Sequence, residues 1–70
     1  MSEEQLTHEE FTEMLSEFSI RDITDFQVQL GSLWMRFNVS NEAYHLEFSL
    51  TGNQVWFQRR DGNDWVELYN

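Results

Sequence analysis

Residues 26–57 read FQVQLGSLWMRFNVSNEAYHLEFSLTGNQVWF, and through most of this stretch apolar and polar side chains alternate. A period of two marks a strand with one dry and one wet face. The alternation breaks at Gly31-Ser32, at Ser40-Asn41-Glu42-Ala43 and at Thr51-Gly52-Asn53-Gln54, and each break holds residues that suit tight turns. With Gly31-Ser32 as a two-residue loop, Leu30 faces Leu33, Val28 faces Met35 and Phe26 faces Phe37. With Asn41-Glu42 as the next loop, Val39 faces Tyr44, Phe37 faces Leu46, Met35 faces Phe48 and Leu33 faces Leu50. Gly52-Asn53 then sets Leu50 against Val55 and Phe48 against Phe57. All these pairs are apolar, which predicts an antiparallel meander with one dry face. A slip of one residue would turn each of them to the other side.

Downstream, Asp61-Gly62-Asn63-Asp64 is a cluster of turn residues, and Trp65–Tyr69 alternates again. A Gly62-Asn63 loop sets Val66 against Arg59 and Leu68 against Phe57. Arg59 then falls on the dry face at the end of the sheet. Either an acid of the N-terminal lid (Asp22 or Glu17) neutralises it there, or a bulge at Arg59-Arg60 turns both side chains outward.

Upstream, residues 1–5 read as a frayed polar tail. Thr7-His8-Glu9-Glu10 is a capping box, and Leu6 with Phe11 is the hydrophobic staple that accompanies one. Phe11, Met14, Leu15 and Phe18 follow at helical spacing, so a helix is expected over 7–19. Ile20 and Ile23 are expected to plug the space beneath it. The predicted fold is α+β, a single domain over 1–70. An N-terminal helix packs on one face of a four- or five-stranded antiparallel meander at 25–69, in order 1-2-3-4-5. The expected core is Phe11, Met14, Leu15, Phe18, Val28, Met35, Phe37, Leu46, Phe48 and Phe57. A helix of three turns is ~16 Å long and ~10 Å wide, whereas five strands span about 24 Å. Strong curl, or a second copy of the chain, must cover the remainder.

Seventy residues suffice for one small domain, and the lack of Cys removes disulfides and thiolate metal sites. No apolar run reaches membrane-spanning length and the start is acidic, so a cytoplasmic location without membrane association is expected. The formal charge is −9, with 13 acids against 4 bases, all of them Arg. That balance disfavours direct nucleic-acid binding and favours a basic protein partner. Eight of the acids precede Phe26, and Glu9, Glu10, Glu13 and Glu17 form an acidic stripe on the helix. Like charges at i, i+4 cost about 0.2–0.5 kcal/mol per pair, and Glu17 falls at the unfavourable end of the helix dipole. Helix stability alone does not explain the stripe.

On the wet face the same alternation predicts three rows. Gln29, Trp34, Ser49, Trp56 and Tyr69 form the first; Gln27, Arg36, Glu47, Gln58 and Glu67 the second; Asp25, Asn38, His45, Arg60 and Trp65 the third. Arg36 is expected to pair with Glu47 across strands. Trp, Tyr and Arg are the residues that carry binding energy at interfaces. Trp34, Trp56, Tyr69, Trp65, Arg36 and Arg60 are therefore the candidate partner-binding set. The plainer reading is that large rings shield the backbone of a small sheet.

Nothing here has the form of a catalytic site. His8 and His45 are the only imidazoles, and neither has a nucleophile or base at a telling spacing. His8-Glu9-Glu10 lacks the spacing of a helical zinc site, and Asp61–Asp64 is too short for a calcium loop. No metal or cofactor is predicted. Aromatic and Arg side chains on an open sheet resemble a single-strand stacking platform, but a charge of −9 opposes it.

The function read from the residues is that of a small acidic, non-catalytic protein-binding module. It would anchor a partner on its aromatic face and steer it with the acidic helix. The alternative is an acidic inhibitor or nucleic-acid mimic, of the phage or host-defence, antitoxin or immunity kind, that blocks a basic groove through the Glu stripe. A homodimer, through the aromatic face or the uncharged edge strand Phe26–Leu30, is a third reading.

Overall fold

The computed structural model describes residues 5–70; most of the expected N-terminal tail, with Glu3 and Glu4, lies outside the described residues. Helix α1 (His8–Leu15) leads through a 3₁₀ turn (Ile20–Asp22) into five strands: β1 (Ile23–Gln29), β2 (Ser32–Val39), β3 (Glu42–Ser49), β4 (Gln54–Asp61) and β5 (Asp64–Tyr69). They form one antiparallel sheet in the order β1-β2-β3-β4-β5, the meander the alternation predicts.

The first three hairpins close two residues away from the expected register, and in each case the turn chemistry explains the shift. Gln29 pairs with Ser32, so Leu30 and Gly31 are the central residues, with Gly31 taking φ +87° at the second position rather than the first. Val39 pairs with Glu42, and Ser40 and Asn41 make the turn at φ +53° and +66°. The expected loop would have forced Glu42 to positive φ, which Asn tolerates far better than Glu. Ser49 pairs with Gln54 across a four-residue loop, whose Gly52 N–H donates to the Ser49 hydroxyl at 3.0 Å. A shift of two preserves faces, so the dry side survives with new partners: Phe26 with Met35, Val28 with Leu33, Phe37 with Tyr44, Leu46 with Phe57.

The last hairpin has the expected register, Arg60 opposite Trp65 and Arg59 opposite Val66, up to a bulge between Gln58 and Phe57. There Phe57 pairs with Tyr69 rather than Leu68. One extra residue reverses the facing of the chain beyond it. Tyr69 therefore joins the helix side, stacked on Phe11 with ring centroids 4.2 Å apart and planes 8° from parallel. It is not part of the wet-face row.

The helix is anchored as its first turn predicts. Thr7 Oγ1 accepts from the Glu10 N–H at 3.1 Å, and Glu10 Oε1 accepts from the Thr7 N–H at 2.9 Å. It stops at Leu15, earlier than expected, with the Ser16 hydroxyl donating to the Glu13 carbonyl at 2.6 Å. Phe18 nonetheless reaches the core, 4.8 Å from Phe37 and 5.2 Å from Tyr44, through the turn after the helix.

The core centres on Phe57, at 0% exposure, with Phe11, Phe37, Tyr44, Leu46 and Leu68 around it. Met14, Leu15, Phe18, Met35 and Phe48 pack against it half-buried. Two expectations fail. Val28, expected in the core, is 68% exposed, and Ile20, expected as a plug, is 86% exposed. Both failures have one cause: Phe11 of α1 packs on Phe57 of β4 and Tyr69 of β5, Phe18 in the turn beyond the helix packs on Phe37, Tyr44 and Phe57, and a two-turn helix leaves β1 uncovered.

Arg59 is on the helix side, opposite Tyr44 and Val66. Its guanidinium reaches the Glu42 carboxylate on the neighbouring strand at 3.8 Å, whereas Asp22 accepts from the Ser19 N–H at 2.9 Å to cap the 3₁₀ turn.

Candidate functional site

On the face away from the helix the observed register brings together residues that the expected loops keep in separate rows. Gln27, Trp34, Glu47 and Trp56 make one row, and Asp25, Arg36, His45, Gln58 and Glu67 the next. Arg36 therefore faces His45 rather than Glu47. Its Nε–H donates to His45 Nδ1 at 3.1 Å, and His45 Nε2 lies 3.0 Å from Glu47 Oε1. A guanidinium cannot accept, so Nδ1 carries the lone pair and Nε2 the proton. The three side chains form a relay in which every contact is a donor meeting an acceptor.

This relay is roofed by indoles. The Trp34 and Trp65 rings lie 5.3 and 5.7 Å from the His45 ring. The Arg36 guanidinium carbon sits 5.0 Å from the Trp34 ring centre and 5.2 Å from that of Trp65, so it lies against both. Arg60 flanks the far side, 5.3 Å from Trp65. His45 is thereby only 8% exposed on what is nominally the open face. Alternation alone makes it an ordinary polar surface residue. The signal that could have found it is the Ser40-Asn41 turn, since only that loop sets His45 opposite Arg36.

Of the expected binding set, Trp34, Trp56, Trp65 and Arg36 are half-buried on this face, and Arg60 is exposed beside them. Each cation–π contact contributes about 0.5–1 kcal/mol where solvent is near, and together they hold long side chains in place. Tyr69 is separate, on the helix side, where its hydroxyl and His8 Nδ1 are 2.9 Å apart.

The acids do not form a regular row. Glu9 and Glu13 share one helix face, but Glu17 lies in the turn beyond the helix end, and Glu10 is engaged in the capping box. All four are exposed. On the same side of the sheet, burial holds the Tyr44 hydroxyl above its ordinary pKa of 10.0, Glu42 adds to the effect, and Arg59 offsets part of it. Among the described residues no cluster of three or more His, Asp or Glu is placed to hold a metal ion, and no helix is long and apolar enough to cross a membrane. Compared with protein families, curated proteins and solved structures, the chain matches none.

Proposed function

We propose that this chain is a non-catalytic binding module that takes a basic protein partner on the face formed by Trp34, Trp56, Trp65, Arg36 and Arg60. The observation that carries this reading is the packing of one guanidinium against two indoles above a hydrogen-bonded His45–Glu47 pair. Aromatic and Arg side chains held in advance on strands lose little freedom on binding, and they are the types on which interface energy concentrates. The excess of acids, eight of them ahead of Phe26, adds long-range attraction for a basic partner and speeds encounter.

Photo-crosslinking separates this reading from the acidic-inhibitor one. A crosslinking residue at Gln58 should capture the partner, and the same residue at Glu13 should not. With the captured protein in hand, Trp56→Ala should weaken binding by about 2 kcal/mol or more, roughly thirtyfold in Kd. Glu13→Lys with Glu17→Lys should slow association at low salt and leave dissociation nearly unchanged. If Trp56→Ala binds normally and the double Lys variant does not bind at all, the acids are the binding site and the aromatic face is not.

A further inference from the structure

Among the described residues, exposed large apolar side chains gather on and beside the helix side of β1. Phe26 is 64% exposed, Val28 68% and Leu30 106%, with Ile20 at 86% and Leu50 at 59% nearby. Five large apolar side chains exposed at and beside one strand are more than the singly scattered hydrophobics usual on a monomer. β1 is also an edge strand. The other edge is partly covered, since the Leu6 N–H donates to the Leu68 carbonyl at 2.6 Å. Gln29 and Ser32 close the first hairpin, so by alternation the backbone groups of Phe26 and Val28 point away from β2. The Phe26 N–H agrees with this, donating to the carboxylate of the preceding Asp25 at 2.9 Å.

We propose that a second copy of this chain covers β1, pairing antiparallel with it about a two-fold axis through Val28. In that register Val28 meets Val28 of the other copy, and Phe26 meets Leu30. Three features of the chain point to a copy of itself rather than another occupant. The segment Phe26–Leu30 carries no charge in a chain of formal charge −9, and the register sets Asp25 against Gly31, so no acids meet. The Val28 N–H and C=O point outward, and a two-fold axis through Val28 matches them donor to acceptor with the same groups of the other copy. The shape is also self-complementary. Leu30 protrudes at the hairpin tip, and a 400 Å³ crevice lined by Ile20, Ile23, Thr24, Asp25 and Phe26 opens at the other end of the same strand. The two-fold axis brings each tip to the other copy's crevice. The result is a ten-stranded sheet with both aromatic faces on one side.

Sedimentation equilibrium on the wild-type chain tests this, with circular dichroism to verify that each variant folds. The wild type should show twice the 8.5 kDa chain mass as concentration rises. Val28→Glu and Val28→Lys place like charges across the axis, and each alone should dimerise at least about a hundredfold more weakly. Mixed in equal amounts, the two should recover the doubled mass, because only a residue that faces itself can be rescued in this way. Trp56→Ala should dimerise as the wild type does, which keeps this result separate from that of the aromatic face. A wild-type mass of one chain at the highest attainable concentration overturns the proposal. So does a dimer that survives in both single variants, or a mixture that stays monomeric.

Discussion

Tyr44 shows how one side chain answers to its fold. Alternation places it on the dry face, the turn before its strand decides that Phe37 is its neighbour on β2, and the loop after its strand decides that Arg59 is its neighbour on β4. Its ring stacks on Phe57 at 5.5 Å, while its hydroxyl is raised above 10.0, first by burial and then by Glu42. The folded chain thus keeps this phenol protonated to higher pH than the unfolded chain does. Its contribution to stability is complete below the unfolded value and is lost as pH rises through the folded one. In urea unfolding the wild-type midpoint should fall above about pH 10, and Tyr44→Phe should flatten that fall. Equal alkaline slopes in the two proteins would remove Tyr44 as the cause. His45 is the other residue whose character is acquired: in sequence it is a polar position on a wet strand, and in the sheet it is enclosed by Trp34, Trp65 and Arg36.

At the scale of elements, turns outrank pairing preferences in setting register. Ser40 and Asn41 both sit at positive φ, a conformation that costs most side chains about 1 kcal/mol or more and that Asn and Gly adopt readily. Replacing the pair by Asn-Gly (Ser40→Asn with Asn41→Gly) should raise the unfolding free energy by about 0.5–1 kcal/mol without changing the register. Denaturant titration measures it. A destabilised double variant would mean that this turn is not the one that closes β2 on β3. Helix α1 shows the converse limit. Its start is written locally, in Thr7 and Glu10, but its end is not. Thr12 and Ser16 turn their hydroxyls to the carbonyls of Glu9 and Glu13 at 3.0 and 2.6 Å, and the helix closes after two turns.

For the whole molecule, stability rests on one small cluster. A 70-residue domain has a total of roughly 4–10 kcal/mol to lose. Phe57 has no exposed surface, and Phe11, Phe18 and Tyr44 all pack their rings on it. Truncating such a residue costs about 3–5 kcal/mol, so Phe57→Ala should leave a substantial unfolded population at room temperature. Near-ultraviolet circular dichroism and amide NMR dispersion would show it. A loss below about 1.5 kcal/mol would mean that the core can close around the gap. Phe26, by contrast, is just as large and apolar in sequence, and its exposure makes it far less costly to replace in a single chain.

The architecture is legible in the chain itself: period-two alternation and four turn clusters specify a meander with one dry face, and a capping box with an apolar stripe specifies the helix that covers it. These signals are local, so neighbouring residues suffice to read them. The aromatic face is legible in outline for the same reason, since facing depends only on odd and even positions. Who meets whom is settled only in three dimensions. A turn that moves by one residue slides each of three hairpins by two, which gives Arg36 to His45, and a bulge at Leu68 carries Tyr69 to the other side. Which half of the dry face the short helix covers is likewise set by ring packing between distant segments. Such contacts depend on the fit of surfaces far apart in sequence, and no spacing along the chain encodes them.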